Sequence, residues 1–485
     1  MEEQKTEGQR LVEKLAFEIK PCWGTAGEED RLAIAEFAED YKKFIDKGKT
    51  EREFNAECLA ILKEDGFIDL ETVLSQGKKL KAGDKVYQDN RGKALLFAVI
   101  GHASIKEGVN IVGAHIDSPR IDMKTNPLYE DGGFALFDTH YYGGIKHYQW
   151  TTVPLAMHGV VFNKNGEKRT VCIGEDARDP VFVITDLLPH LAREQMQKKA
   201  DEFVGGEELN VLAGSEPFKD EKVKERVKLT ILNLLNQRYG ITEESFASAE
   251  LEFVPAHKAR DVGLDRSLIG AYGHDDRCCA YTAFHAARSF AGKGETQGTV
   301  PEKTVVCLLS DKEEIGSIGN TGARSRLFEN FIAYLCSQTL ERYSDIDLRR
   351  TLNRSAMLST DVNAAYDPNF SDVSDQKTAS YCGKGLALSK YTGVRGKVGG
   401  SDANAEFLQK VQRILDTRNI RWQFGDLGKV DKGGGGTIAQ YAAHLGVEVL
   451  DCGIPVLSMH SPFEVISKID LWTAYKGYAA FLKDA

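Results

Sequence analysis

Apolar positions return at helical spacing early in the chain. Between residues 29 and 63 they recur every three or four positions, as on one face of a helix, so this region is predicted to form helices. The members of this face are Ile34, Phe37, Tyr41, Phe44 and Ile45. Two mostly apolar, strand-like runs follow, at residues 94–100 and 109–114, and they predict strands.

The rest of the chain divides into two kinds of pattern. From Gly270 onward, strand-like and helix-like segments alternate, which is typical of an α/β domain with a mostly parallel central sheet flanked by helices. Residues 125–250 differ, because they hold aromatic, glycine-rich stretches at 141–150 and 159–173 that suggest hairpins. We therefore predict an α/β domain formed by residues 1–124 and 251–485, interrupted by a β-rich insert at 125–250.

Length and composition agree with this division and limit the kinds of partner that are expected. A chain of 485 residues is too long for one ordinary core. The net charge of −10 argues against a nucleic-acid partner, whose phosphates need a basic face. The polar N-terminus lacks the apolar core of a signal peptide, and the run at 94–100 is too short to span a bilayer, so no membrane association is expected.

The nine cysteines have irregular spacing and an odd count, which favours free thiols in a reducing compartment and hence a cytoplasmic location. Cys278 and Cys279 are neighbours in a helix-like segment. We expect them to fill the core rather than to carry redox chemistry.

A histidine and a carboxylate lie at the end of the second apolar run. His115 follows residues 109–114 directly, and Asp117 stands two positions later, on the same face if the strand continues. A metal-bound histidine needs an acceptor for its other ring nitrogen, and a carboxylate at this spacing can supply it. Taken alone, such a pair is also typical of a solvent-exposed strand end.

Further acids and a second histidine lie at comparable places. Each sits near the end of a strand-like run or the start of a helix-like run, and in a parallel sheet such positions meet at one edge. These residues are Asp275, Asp276, Glu313, Glu314, Asp361 and His460. Two histidines and three carboxylates suit a pair of divalent ions with one bridging carboxylate, and Glu313 is then left as a base. Taken singly, each could be a helix cap, a residue of an acidic turn or a loop residue.

Two glycine-rich segments do not match nucleotide-binding motifs. Residues 316–322 have the spacing G-x-x-G-x-x-G, and the acids just before them would repel a pyrophosphate. Residues 433–436 are followed by Thr437, where a phosphate loop would need lysine. The alternative for this second segment is a substrate-binding turn whose backbone amides face an anion.

The ordered set of segments resembles the aspartyl aminopeptidase family of two-zinc metallopeptidases, over nearly the whole chain. The segments are Gly113-Ala114-His115-Ile116-Asp117-Ser118-Pro119, Asp275-Asp276, Asp311-Lys312-Glu313-Glu314-Ile315-Gly316-Ser317, Ser359-Thr360-Asp361, Gly434-Gly435-Gly436-Thr437-Ile438 and Leu457-Ser458-Met459-His460-Ser461. The resemblance implies a phosphorylase/hydrolase-like zinc peptidase fold that hydrolyses the N-terminal residue of peptides, with a preference for N-terminal Asp or Glu.

The resemblance also implies roles for individual residues. Two divalent ions are expected per chain, zinc first, with cobalt or manganese as alternatives. The implied roles are His115 and Asp361 for one ion, Glu314 and His460 for the other, Asp275 as the bridge, Glu313 as the general base and Asp117 as the partner of His115. A cis peptide bond between Asp275 and Asp276 is expected on the same ground.

For the insert, the resemblance implies an oligomerisation domain and assembly into a dodecamer. His190 is then expected to reach the site of a neighbouring subunit, and Lys429 to bind an acidic substrate side chain; the alternatives are a surface histidine at a helix start and a solvated loop lysine. Many members carry Asp-Asn where this chain has Asp275-Asp276, which favours a related group of tetrahedral aminopeptidases with broader specificity. A carboxypeptidase or deacylase stays open, as does a non-catalytic scaffold, although a scaffold would be expected to have lost ligands.

Overall fold

The computed structural model describes residues 5–292 and 294–485. Its helices are α1 (Glu7–Leu15), α2 (Glu28–Lys47), α3 (Glu51–Glu64), α4 (Leu70–Ser75), α5 (Arg226–Tyr239), α6 (His274–Arg288), α7 (Leu327–Thr339), α8 (Asp345–Asn353), α9 (Ala405–Thr417), α10 (Ala439–His444) and α11 (Lys468–Asp484). The predicted helices between residues 29 and 63 are confirmed as α2 and α3.

The strands in the described ranges, 5–292 and 294–485, form four sheets. They are β1 (Ile68–Asp69), β2 (Lys85–Asn90), β3 (Ala94–Val99), β4 (Asn110–His115), β5 (Arg120–Asp131), β6 (Phe134–Tyr142), β7 (Leu155–Phe162), β8 (Lys168–Ile173), β9 (Val211–Gly214), β10 (Glu250–Pro255), β11 (Arg260–Val262), β12 (Leu268–Ala271), β13 (Val305–Ser310), β14 (Ala356–Ser359), β15 (Asn363–Ala364), β16 (Leu386–Ser389), β17 (Gly393–Val394), β18 (Trp422–Phe424), β19 (Gly434–Gly435), β20 (Glu448–Gly453), β21 (Pro455–Leu457) and β22 (Glu464–Ser467).

The largest sheet has nine strands in the order β1-β2-β3-β13-β4-β14-β20-β16-β18. The four central strands β13, β4, β14 and β20 run parallel to one another, and antiparallel pairs occur at β2–β3, β3–β13 and β20–β16. This confirms the predicted mostly parallel sheet. The register places His115 at the end of β4 beside Ser310 at the end of β13.

Helices cover both faces of this sheet, which explains the continuous apolar runs in its strands. Phe97 of β3 belongs to the core under α6 and α11, whereas the next residue along, Ala98, belongs to the core under α7 and α10. Cys278 and Cys279 are buried in α6 within the first of these cores, as predicted. All nine cysteines are free thiols.

A six-stranded antiparallel sheet, in the order β8-β7-β10-β5-β6-β9, occupies the region of the predicted insert. Its strands lie between Arg120 and Pro255, so its first and last strands cross the predicted boundaries at 125 and 250. Together with α5 it has a core of its own, with Phe137 and Phe253 at its centre. The hairpin at 159–173 is confirmed as β7–β8.

The hairpin predicted at 141–150 is wrong. Strand β6 pairs with β5 and β9 and ends at Tyr142, and a short 3₁₀ helix follows at His147–Gln149. Gly143, with φ +78°, turns the chain out of the extended backbone of β6. The aromatic and glycine content that suggested a hairpin here belongs to a strand end and its exit loop.

A five-stranded sheet, β11-β12-β22-β21-β15, and a two-stranded sheet, β17-β19, complete the architecture. Strand β12 leads into α6, and β21 leads to His460. None of the helices in the described ranges, 5–292 and 294–485, combines the length and the apolar character needed to cross a membrane.

Candidate active site

Neighbouring parallel strands of the large sheet bring three of the predicted site residues together. His115 ends β4, Asp361 follows β14, and Glu313 stands in a short 3₁₀ helix (Glu313–Ile315) after β13. The Nε2 atom of His115 lies 3.9 Å from Oδ1 of Asp361 and 3.9 Å from Oε2 of Glu313. These are the carboxyl ends of parallel strands, as the sequence predicted.

Asp275 and His460 arrive from the five-stranded sheet instead. Asp275 follows β12 at the start of α6, and His460 follows β21 with a left-handed backbone at φ +63°. The Asp275 carboxylate lies between two imidazoles, with Oδ1 3.3 Å from Nε2 of His115 and Oδ2 3.1 Å from Nε2 of His460. Oε2 of Glu314 is 3.6 Å from the same His460 nitrogen. The expectation of a single sheet edge is therefore corrected, since two sheets contribute.

Two groups of potential metal ligands result, and they share Asp275. In each group the ligand atoms all lie within 4.8 Å of one another; the groups are His115, Asp275 and Asp361, and Asp275, Glu314 and His460. Within the described residues, the ion-pair partners of these three carboxylates are histidines only. Oε1 of Glu314 is buried with no hydrogen-bond partner in the same part of the chain. Imidazole nitrogens and carboxylate oxygens around such an orphaned atom suit zinc.

The raised pKa values of the carboxyl groups in this cluster also favour a bound metal ion. Burial raises the pKa of Glu313 to about 7, and burial together with neighbouring carboxylates raises the pKa values of Glu314 and Asp361. Carboxylates buried side by side resist ionisation unless a positive charge lies among them. A bound divalent cation supplies that charge and lowers the pKa values of the carboxylates around it.

Asp117 contacts the Nδ1 side of His115. Nδ1 of His115 lies 3.0 Å from the backbone oxygen of Asp117 and 3.3 Å from its carboxylate, so Nε2 is left to face Asp275. The Asp117 carboxylate also accepts the backbone N–H groups of Glu313 and Glu314, at 3.1 and 3.2 Å. One fully buried carboxylate thus holds both the histidine and the acidic turn.

Glu464 was missed by the sequence analysis. Its Oε1 accepts the backbone N–H of His460 at 2.6 Å, and its Oε2 accepts the backbone N–H of Asp275 at 3.0 Å. Nδ1 of His460 donates to the carbonyl oxygen of Gly144 at 2.7 Å, which leaves Nε2 facing Asp275. The available signal was an acid at the start of an apolar strand four residues after His460.

Comparison with known proteins decides the family. A family model described as aminopeptidase I zinc metalloprotease (M18) matches residues 44–482. The chain belongs to the M18 family of zinc aminopeptidases. It is 48% identical over 470 residues to a probable M18 family aminopeptidase 1 of Clostridium acetobutylicum, covering 97% of this chain and 99% of the relative. The family resemblance in the sequence is thereby confirmed, as is its assignment as an exopeptidase.

Solved structures agree on the fold of this M18 aminopeptidase. A crystal structure of an M18 family aminopeptidase from Thermotoga maritima matches with a TM-score of 0.90 at 45% identity, covering 97% of this chain and 100% of the other. A crystal structure of aminopeptidase I from Clostridium acetobutylicum matches with a TM-score of 0.88 at 46% identity, covering 96% and 100%. The structure of an S. cerevisiae mApe1 dodecamer, 22% identical over 92% of this chain and 96% of the other, has a TM-score of 0.73 and shares the fold.

A cleft of about 450 Å³ opens from the ligand groups of the M18 aminopeptidase. The glycine-rich residues 433–436 line it, together with Lys429, Arg395 and Asp426. Nζ of Lys429 donates to the backbone oxygen of Asp372 at 2.7 Å, so the lysine is anchored at the cleft wall. The glycine-rich segment at 433–436 therefore forms part of the cleft wall.

Asp276 and His190 lie outside the two ligand groups. The peptide bond between Asp275 and Asp276 is cis, as expected. The Asp276 side chain is fully buried, and its Oδ2 accepts the backbone N–H of His115 at 3.3 Å, so it faces away from the cleft. His190 is exposed and lies outside the cleft lining of its own chain.

Proposed function

We propose that this M18 aminopeptidase works with two divalent ions held at the two ligand groups. His115 and Asp361 would hold one ion, Glu314 and His460 the other, and Asp275 both. The observation that carries the proposal is the Asp275 carboxylate, whose two oxygens lie 3.3 and 3.1 Å from two different imidazole nitrogens. The zinc metalloprotease family makes zinc the first choice of ion, ahead of cobalt or manganese.

Glu313 is the proposed general base. When bound, paired divalent ions lower the pKa of water and polarise the scissile carbonyl. The Glu313 carboxylate lies at the rim of the ligand groups, with its side chain 18% exposed to the cleft. It takes a proton from the attacking water and passes it to the departing amine nitrogen. The hydrogen bond from its backbone to Asp117 keeps its turn in place.

The cleft would select peptides by their free N-terminal amine, since its deep end is lined by carboxylates that attract a cation. Lys429 supports a preference for an acidic side chain, because its ammonium group sits at the cleft wall. The pair Asp275-Asp276 favours broader specificity instead.

The six-stranded sheet is proposed to build subunit contacts. Large apolar side chains are exposed along this part of the chain, which is typical of an interaction surface. They include Phe134, Leu187, Leu188, Leu191 and Met196. His190 lies within this exposed stretch, which supports contact with a neighbouring subunit. The dodecamer named for the yeast relative supports a large assembly, and light scattering of the purified protein measures its size.

Metal titration of chelator-treated protein tests the proposal. Activity should return with zinc and level off at about two equivalents per chain, on aminoacyl anilides whose amine is free. N-acetylated forms of the same anilides should stay intact. Hydrolysis of the acetylated substrates would favour a deacylase, and full activity at one equivalent would contradict the pair of ions.

A further inference from the structure

The loop that begins at the last residue of β6, residues 142–144, contacts both ligand groups, one through Asp117 and the other directly at His460. The hydroxyl of Tyr142 donates to Oδ2 of Asp117 at 2.9 Å, and Asp117 in turn holds Nδ1 of His115. Two residues later, the carbonyl oxygen of Gly144 accepts the Nδ1–H of His460 at 2.7 Å. One short segment therefore contacts the histidine of one group through Asp117 and the histidine of the other group directly. This segment lies at the end of the six-stranded sheet, not in the nine-stranded or the five-stranded sheet.

The middle residue of this loop packs directly on a third candidate ligand. Gly143 has φ +78°, and a Cβ atom placed there would lie 3.3 Å from Cβ of Glu314 and 3.3 Å from Cβ of Pro119. A side chain at this position would strain the backbone, and Glu314 or Pro119 would have to move by a few tenths of an ångström. Gly143 therefore packs directly against the Glu314 side chain.

The loop is itself anchored by a buried ionic cluster. The Arg120 guanidinium lies 3.9 Å from the centre of the Tyr142 ring, within range of a cation–π contact. Arg120 also pairs with Glu51 of α3 at 3.3 Å and with Glu252 of β10 at 2.9 Å. The Tyr142 ring therefore packs on an arginine that is itself held by both the α/β domain and the six-stranded sheet.

We propose that residues 142–144 are a positioning element for both metal groups, so that the six-stranded sheet contributes to metal binding as well as to subunit contacts. Tyr142 acts through Asp117 on the His115 group, whereas Gly143 and Gly144 act on the group of Glu314 and His460. This inference rests on the proposed two-ion site.

Zinc affinity, measured by competition with a chromophoric chelator, tests the glycine. Gly143→Ala should weaken binding of one of the two ions by about 10–100-fold, the usual loss when a ligand's support is removed. Gly133→Ala is the matched control. Gly133 lies in the turn between β5 and β6 with φ +84°, and a methyl group added there would have no atom of the described residues within 4 Å, so backbone strain alone should leave zinc affinity unchanged.

Tyr142→Phe tests the other group without backbone strain, and Tyr272→Phe is its control. Tyr272 is likewise buried, and its hydroxyl donates at 2.9 Å to the backbone oxygen of Pro119 rather than to Asp117. Tyr142→Phe should change the visible spectrum of the cobalt-loaded protein and weaken one ion by roughly tenfold. Tyr272→Phe should do neither.

Thermal unfolding of all four variants separates folding from metal binding. Variants that bind both ions as tightly as their controls would overturn the positioning role. A wild type that binds a single ion would instead overturn the two-ion proposal, and the affinity of that ion in the variants would still decide whether residues 142–144 position it.

Discussion

The buried carboxylate of Glu464 accepts the backbone N–H of Asp275 at 3.0 Å. Its other oxygen accepts the backbone N–H of His460 at 2.6 Å. One side chain in β22 therefore fixes the main chain at the shared carboxylate and at one histidine of the proposed metal site. Both oxygens of Glu464 are occupied by backbone N–H groups. Glu464 therefore positions the main chain of Asp275 and His460 rather than binding an ion itself.

Glu464→Gln should weaken zinc binding, because the amide NH₂ cannot accept one of the two N–H groups. A buried donor without its acceptor costs about 1–3 kcal/mol, so the melting temperature should fall as well. Asp470→Asn is the matched control, since Asp470 is equally buried and accepts the N–H groups of Gly383 and Gly385 away from the site. The control should have a lower melting temperature and an unchanged zinc affinity. Equal zinc affinity in both variants would show that Glu464 does not support the metal site.

Glu313→Gln and Glu314→Gln should separate proton transfer from metal binding. Glu313→Gln should keep both ions and lose about 10²–10⁴-fold in kcat, the usual contribution of a general base. Glu314→Gln should lower zinc affinity, because an amide is a poorer ligand than a carboxylate. Elemental analysis and steady-state kinetics on the same samples check both. The opposite pattern would exchange the two roles.

Lys429→Met should reduce kcat/KM on peptides with N-terminal Asp or Glu and spare neutral ones. A charge-assisted contact is worth about 1.5–3 kcal/mol, which corresponds to roughly tenfold or more. Arg395→Met removes a second cation that lines the same cleft and shows whether the effect belongs to Lys429. Unchanged activity of Lys429→Met on acidic peptides, or a wild type that prefers leucine, would leave Lys429 as a loop residue.

Acid should remove a stabilising contribution from Glu175. Burial alone would raise the pKa of Glu175, but the hydrogen bond from His158 and the charges of Lys49 and Lys258 lower it to about 2. A lowered folded pKa stabilises the protein above the ordinary value of 4.5, and this stabilisation is lost as the pH falls towards 2.

Glu175→Gln should therefore melt at a lower temperature than the wild type near neutral pH, by an amount equivalent to about 1–3 kcal/mol. The difference between the two melting temperatures should shrink as the pH falls below about 4.5. Glu167→Gln, at an exposed acid paired with Arg169, is the control and should match the wild type throughout. A difference that is independent of pH would show that the Glu175 charge does not contribute.

The sequence predicted the parts of the site that depend on strand ends. His115, Glu313 and Asp361 lie at or just after the ends of β4, β13 and β14. These strands are parallel neighbours, and parallel strands bring their carboxyl ends to one edge of the sheet. Asp275 and His460 were also named as candidates, yet their approach from a separate five-stranded sheet depends on long-range pairing that local patterns do not encode.

The supports of the ligands were harder to predict. Glu464 lies in a short strand whose other members are largely apolar, and its role depends on two backbone N–H groups, one of them 189 positions away along the chain. The carbonyl of Gly144 carries no signal in its residue type, because every residue has a backbone oxygen. The exit loop of β6 was interpreted as a hairpin since aromatic and glycine residues suit both.

Anomalous diffraction at the zinc absorption edge, from crystals of the zinc-saturated protein, is the most direct test of the two-ion site. Two peaks per chain are expected, one beside His115 and Asp361 and one beside Glu314 and His460, both within bonding distance of Asp275. A single peak, or a second peak away from Asp275, would contradict the two-ion site.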